Sequence, residues 1–279
     1  MSEPLLEVED LRVAFESAHG QVEAVRGVSF AVGREKVGIV GESGSGKTMT
    51  GRCVLRIPPP TAHVSAKRIA FRGEDLLTAS EARMRAIRGR RISMILQDPK
   101  FSLNPVMRVG EQVAESFRIH HPGSRREARD RALDMLGQVR IRDPKRVYGL
   151  YPHEVSGGMG QRIMIAMMLV PAPELLIADE PTSALDVTVR TQVLAILDDL
   201  VAGRGLGLVF VSHDLNLVAT FCDRVLVMYA GRIVEECAAG DLGHARHPYT
   251  RALLAATPRL DRPRERLAVM ERDAAWLEA

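Results

Sequence analysis

The sequence predicts an α/β fold in which a largely parallel sheet is covered by helices, preceded by an antiparallel β-subdomain and interrupted by a helical insertion. Three observations predict it. Short apolar runs alternate with helical segments in both halves of the chain, the pattern of a parallel sheet buried on both faces. A glycine-rich turn, Gly41 to Gly46, leads from a strand into a helix. From about Phe101 to Leu169, helix follows helix with no convincing strand.

The elements follow in order. Leu5 to Phe15 and Val22 to Val32 are rich in Val, Leu and Phe and read as two strands joined at His19-Gly20. Lys36 to Val40 is a third strand, followed by the glycine-rich loop and a helix from Lys47 to about Arg56. Pro58, Pro59 and Pro60 stop that helix. Arg68 to Phe71 and Ile92 to Leu96 read as strands around an Arg-rich helix. Strands return at Leu175 to Ala178, Leu208 to Val211 and Arg224 to Met228, each paired with a helix.

Composition narrows the function classes. The 279 residues leave room for one or two domains, and 46% hydrophobic with 26% charged residues suits a chain with a buried core. A formal charge of +3 is too small to argue for nucleic acid, and 4% aromatics offers little stacking surface for single strands. Cys53, Cys222 and Cys237 have no close-spaced partner, which fits a reducing compartment better than a disulfide framework or a zinc site. Met1 to Asp10 does not read as a signal peptide. The longest apolar run, Ile163 to Val170, falls far short of the roughly 20 residues that span a bilayer. An integral membrane protein is not expected, although docking on one is compatible.

Phosphate chemistry is the first specific signal. Gly41, Glu42, Ser43, Gly44, Ser45, Gly46, Lys47 and Thr48 match the phosphate-loop pattern, between a strand and a helix that runs on through Met49. Glycines let backbone N–H groups turn inward around phosphate oxygens, and the helix N-terminus adds partial positive charge. Lys47 is placed to reach the β- and γ-phosphates, and the Thr48 hydroxyl to bind Mg²⁺. Leu175 to Glu180 is an apolar strand ending in two carboxylates. Asp179 is the candidate Mg²⁺ support, and Glu180 the candidate general base for the attacking water.

A third element narrows the class. Val155-Ser156-Gly157-Gly158-Met159, followed by Gly160-Gln161-Arg162, resembles the signature of ATP-binding-cassette ATPases. Gln97 resembles the Q-loop glutamine, Ser183-Ala184-Leu185-Asp186 the D-loop, and His213 in Val211-Ser212-His213-Asp214 the switch histidine. Within that family the chain is most similar to ATP-binding subunits of peptide and nickel importers. The residues that carry this are Gln97-Asp98-Pro99, Ser102-Leu103-Asn104-Pro105, Ala184-Leu185-Asp186-Val187 and His247-Pro248-Tyr249-Thr250. Two departures stand out. Position 160 is Gly where relatives usually carry a basic or polar residue, which implies a less firmly started signature helix. The tail from Arg259 to Ala279 lacks cysteine, so no iron–sulfur cluster is expected.

The resemblance implies a cassette fold of P-loop NTPase (RecA-like) type over residues 1–258. Its core would be 1–98 and 170–236, its helical subdomain about 99–169, with a helical extension over 237–279. It implies ATP and Mg²⁺ as ligands, with Thr48, Gln97 and Asp179 around the metal. It also implies two cassettes paired head to tail, with Ser156, Gly157 and Gly158 facing the partner's nucleotide. Asp186 would tie the two sites together, His213 would contact the γ-phosphate, and Gln97 would sense metal and water. Phe15 is the candidate for stacking on adenine.

Two integral membrane permeases, contacted near Phe101 to Gln112, a second related ATPase and an extracytoplasmic binding protein are the implied partners, with no nucleic acid. The implied place is the cytoplasmic face of the cell membrane, and the implied cargo is short peptides, with nickel or another metal chelate second. A cassette acting on nucleic acid or ribosomes is the reading from a different class. Against it, only 109 residues separate Lys47 from Ser156 (156 − 47), too few for a coiled-coil arm.

Some eye-catching residues have plainer explanations. Met159, Met164, Met167 and Met168 read as core packing. His120 and His121, as helix neighbours, do not face one another and read as a solvated pair and not as metal ligands. The arginines around Arg88 to Arg91 and Arg125 to Arg131 read as solvated helix faces, compatible with an anionic membrane surface.

Overall fold

A computed structural model of the chain describes residues 4–17, 20–96, 102–183, 185–257 and Trp276. Strands β1 (Leu6–Ser17) and β2 (Gly20–Val32) form the expected antiparallel hairpin. It runs on to Ser17 and Gly20, where the Ser17 hydroxyl donates to the Gly20 carbonyl at 2.6 Å. Strand β3 (Lys36–Val40) has the bounds the sequence suggests and is buried over four of its five residues, as a central strand demands.

Helix α1 (Lys47–Val54) stops two residues short of Arg56. Arg56 takes a left-handed φ of 52°. The Ile57 N–H then reaches the Arg52 carbonyl and the Arg56 N–H the Cys53 carbonyl, both at 3.0 Å. That double bond pattern ends a helix before the prolines are reached.

The next strands are β4 (Ala62–Ser65), β5 (Arg68–Phe71) and β6 (Glu74–Asp75). Helix α2 (Glu81–Ile87) follows, capped by Ser80, and then β7 (Ile92–Ile95). The helical block contains α3 (Val109–His120), α4 (Arg125–Gln138), α5 (Pro144–Tyr148) and α6 (Gly157–Leu169). Beyond it lie β8 (Leu175–Asp179), α7 (Val187–Arg204), β9 (Gly207–Ser212) and α8 (Leu215–Phe221). The chain continues through β10 (Arg224–Tyr229) and β11 (Arg232–Ala238) to α9 (Pro248–Ala256).

One expectation is corrected here: β10 leads into a strand and not a helix. Ala230 and Gly231, at φ 45° and 85°, make a two-residue turn with both central residues left-handed, which returns the chain as an antiparallel partner.

The described chain divides into two compact units, residues 1–78 with 209–279, and residues 79–208. In the first, an antiparallel sheet has the order β2-β1-β5-β6, with β4 also pairing with β1, while the other strands run β11-β10-β3-β9. The Arg26 N–H donates to the Gly231 carbonyl at 2.7 Å and so joins β2 to the β10–β11 turn. Helix α8 lies so close to β3 that a Cβ on Gly38 would sit 2.2 Å from Val218. In the second unit, β7 and β8 pair in parallel and Arg91 bridges Glu174 at 2.9 Å where they start. A Cβ on Gly110 of α3 would lie 2.1 Å from the Tyr148 ring. The Tyr148 hydroxyl donates to Glu111 at 2.9 Å, and burial first, then that carboxylate, push it up to about 12.

No helix among the described residues is long and apolar enough to cross a membrane.

Candidate phosphate and water-activating sites

In the first unit, the loop after β3 is shaped around Lys47. Its ammonium donates to the Gly41 carbonyl at 2.8 Å, to the Glu42 carbonyl at 2.7 Å and to Ser45 Oγ at 3.4 Å, and the residue is 5% exposed. A buried ammonium needs such acceptors, and three oxygens of the loop supply them here.

Two glycines are required by space as well as by φ. A Cβ on Gly41 (φ 152°) would fall 2.1 Å from the Met228 carbonyl oxygen, and one on Gly46 (φ 100°) 2.6 Å from that of Ala24. Ser43 and Gly44 lie exposed at the mouth, and Thr48 and Met49 are half-buried on the first turn of α1. No acidic residue occupies that first turn, so the positive end of the helix is left for an anion.

His213 is exposed just beyond β9. Ser212 Oγ accepts from the Asp214 N–H at 3.0 Å, and Asp214 caps α8 through the Leu217 N–H at 3.1 Å, so hydrogen bonds fix the backbone on either side of the ring. Phe15 is half-buried on β1, paired with Val22 of β2 and Ala62 of β4.

In the second unit, the five residues of β8 are all buried, Asp179 included at 2% exposure. Glu180 follows with φ at 47°, a left-handed backbone that is uncommon for a residue with a long side chain. Such conformations persist only where the surroundings hold them. Here the Ser183 N–H and hydroxyl both donate to the Glu180 carbonyl, at 3.3 and 3.2 Å. Gln161, 2% exposed on α6, donates from Nε2 to the neighbouring Pro181 carbonyl. The sequence reading gave Gln161 no role, because its partner lies 20 residues away and no local pattern marks it.

The signature segment begins a helix firmly. Helix α6 starts at Gly157, where Ser156 Oγ accepts from the Met159 N–H at 3.4 Å. Gly160 is buried within it and does not delay its start. This corrects the expectation of a weakened start. A Cβ on Gly158 would lie 2.6 Å from Val189, so the first turn of α6 lies against the start of α7. Asp186 caps α7 through the Val189 N–H at 3.0 Å. The signature turn, the Glu180 turn and the Asp186 cap are thereby brought together in this unit.

The two histidines take separate partners, but they are half-buried and packed, which corrects the reading of a solvated pair. His121 stacks on Phe117 with centroids 4.8 Å apart and contacts the Pro171 carbonyl at 2.9 Å, while His120 lies over Gly89. Among the described residues, no group of three or more His, Cys, Asp or Glu side chains is arranged to hold a metal. Met164 is buried, and Met159, Met167 and Met168 are half-buried on the same helix. Gln97, Asp98, Pro99, Phe101, Ala184 and the 259–279 tail other than Trp276 lie outside the described residues.

The comparisons with known proteins agree with one another. The family description ABC transporter matches residues 25–183. A probable peptide ABC transporter ATP-binding protein of Sinorhizobium fredii (strain NBRC 101917 / NGR234) is 51% identical over 265 residues, covering 94% of this chain and 78% of that protein. The oligopeptide transport ATP-binding protein OppD of Bacillus subtilis (strain 168) is 46% identical over 260 residues, 92% of this chain and 73% of that one. A solved dimeric bacterial ABC transporter cassette superposes with a TM-score of 0.75 at 25% identity, covering 84% of this chain and 98% of that one. A post-hydrolysis dimer bound to ADP and Pi gives 0.72 at 26%, with the same coverage.

Proposed function

The chain belongs to the ABC transporter family, and from that premise we propose that it is the ATP-hydrolysing subunit of a peptide importer. The observation that carries the reading is the buried Lys47 ammonium, held by loop carbonyls at the N-terminus of α1. Relatives at 44–51% identity named for transport of peptides, dipeptides and oligopeptides support the cargo.

The division of labour follows from the chemistry of each group. The loop from Gly41 to Thr48 surrounds the phosphates, its inward N–H groups donate to them, and Lys47 exchanges its carbonyl partners for β- and γ-oxygens. Phe15 offers a ring to adenine. Glu180 takes a proton from water as it attacks the γ-phosphorus, the bond from that phosphorus to the bridging oxygen breaks with ADP leaving, and His213 holds the released phosphate. Ser156, Gly157 and Gly158 present a capped helix N-terminus to nucleotide on a second cassette, with Asp186 beside them. The Thr48 hydroxyl, the Gln97 side-chain carbonyl and the Asp179 carboxylate are hard oxygen donors of the kind that suit Mg²⁺. When bound, that ion neutralises phosphate charge.

Hydrolysis then releases a dimer that ATP holds closed, because the ligand favours one state over the other. The second cassette is a related but different chain. Residues near Phe101 to Gln112 meet two permeases at the cytoplasmic face of the membrane, and an extracytoplasmic binding protein delivers the peptide. The cassette proper is assigned to 1–258, with the core in 1–98 and 170–236, the helical subdomain at about 99–169 and an extension over 237–279.

Copurification from native membranes in mild detergent tests this. Two multi-span chains and a second cassette are the expected companions. Recovery with DNA, RNA or ribosomes in the soluble fraction would overturn the transport role and leave the ATPase assignment intact.

A further inference from the structure

The phosphate loop is held from behind by the C-terminal part of its own unit. The Glu42 N–H donates to the Tyr249 hydroxyl at 3.1 Å, and the Gly231 N–H donates to the Ser45 carbonyl at 3.2 Å. Tyr249 is 0% exposed. Its own N–H donates to His247 Nδ1 at 3.2 Å, and Pro248 before it starts α9, so the residue sits at a fixed helix entry. The ring lies against Tyr229, with centroids 4.3 Å apart, and against Trp276 at 5.6 Å. Trp276 also meets Tyr229 edge-on at 5.5 Å.

The peptide between Gly41 and Glu42 is the point of leverage. Its carbonyl accepts from Lys47 Nζ at 2.8 Å, while its N–H is tied to Tyr249. Because a peptide unit is planar, fixing the N–H fixes the direction of the carbonyl. The Tyr249 hydroxyl therefore orients one of the acceptors that hold the lysine ammonium, beside the Glu42 carbonyl and Ser45 Oγ. The same hydroxyl belongs to the ring packed against Tyr229 and Trp276, so contacts run unbroken from that peptide to the aromatic cluster.

We propose that Tyr249 is a positioning residue of the phosphate loop, acting on Lys47 through the Gly41–Glu42 peptide, and that Trp276 senses nucleotide through it. The proposal rests on the reading that this loop binds ATP.

Trp276 is the only tryptophan of the chain, which makes the test direct. In the full chain, Tyr249→Phe keeps the ring and removes the hydroxyl. It is expected to weaken ATP binding by about three- to tenfold, the worth of one neutral hydrogen bond. Saturating ATP is expected to change Trp276 emission in the wild type and to leave it unchanged in Tyr249→Phe. A wild-type affinity in Tyr249→Phe would overturn the proposal. So would a wild-type Trp276 that is silent to saturating ATP, an outcome that needs no variant. A variant with lowered melting temperature and affinity, yet a full emission response at saturation, would reduce Tyr249 to a structural role and also overturn it.

Lys47→Ala tests the premise separately. If that variant binds ATP like the wild type, the ATP reading of the loop fails. If it loses ATP while Tyr249→Phe keeps it, only the positioning role fails.

Discussion

Gln161 and Glu180 show how a single side chain governs another across a turn. Glu180 has a left-handed φ of 47°, and Gln161 holds the adjoining Pro181 carbonyl from inside the core. Gln161→Leu keeps a side chain of similar size but leaves that buried carbonyl without this donor, a loss of about 1–3 kcal/mol. The expected result is a lower melting temperature together with slower ATP turnover, and unaltered turnover would separate the two residues.

The cysteines give a second residue-scale prediction. Burial pushes the Cys53 and Cys222 thiols up to about 12, so neither forms much of the reactive thiolate near neutrality. Cys237 is half-buried, and its pKa is also raised, by burial first and by Glu235, Asp241 and Glu236. A thiol reagent at pH 8 is expected to label Cys237 first and the other two only after denaturation. Rapid labelling of all three in the native chain would contradict this.

At the scale of elements, the caps and close contacts decide what a substitution does. Ser156 caps α6 while exposed at its tip, so Ser156→Ala removes a cap worth about 1 kcal/mol. Gly110→Ala is a harsher change, because the new methyl group meets the Tyr148 ring at 2.1 Å and α3 must shift against α5. Chemical denaturation is expected to rank Gly110→Ala as the more destabilising of the two.

Which elements the sequence makes legible follows the same physics. Strands β3, β8 and β9 are short, largely apolar runs because they are buried on both faces, and their length and flanking turns set them apart from the apolar run of α6. Strands β4 and β6 escaped notice because they are short and mostly out of the core, so they need no hydrophobic pattern. Strand β11 alternates apolar residues with charges and has no fully buried residue. Its clearest sign was the Ala230-Gly231 turn before it.

Over the whole molecule, the motifs were readable because each is a contiguous stretch whose chemistry needs fixed spacing. The loop from Gly41 to Thr48 and the strand end at Asp179 and Glu180 fall into this class. What supports them was not readable, since support comes from far along the chain. Tyr249 reaches Glu42 across 207 residues. Gly231 reaches Ser45, and Gln161 reaches Pro181, and none of these partners is marked by a local period. Family resemblance took in Tyr249 and Gln161 within longer matching stretches but gave them no role, because only the folded chain brings them to their partners.

The central claim is that this chain turns over ATP through Glu180 at a phosphate loop built around Lys47. Steady-state hydrolysis by the Glu180→Gln chain at saturating ATP tests it most directly, with nucleotide affinity recorded on the same sample. Affinity close to the wild-type value with turnover lowered by about 100-fold or more is the expected result, since only the proton acceptor is lost. Turnover near the wild-type rate at full occupancy would contradict the claim and remove Glu180 from the reaction.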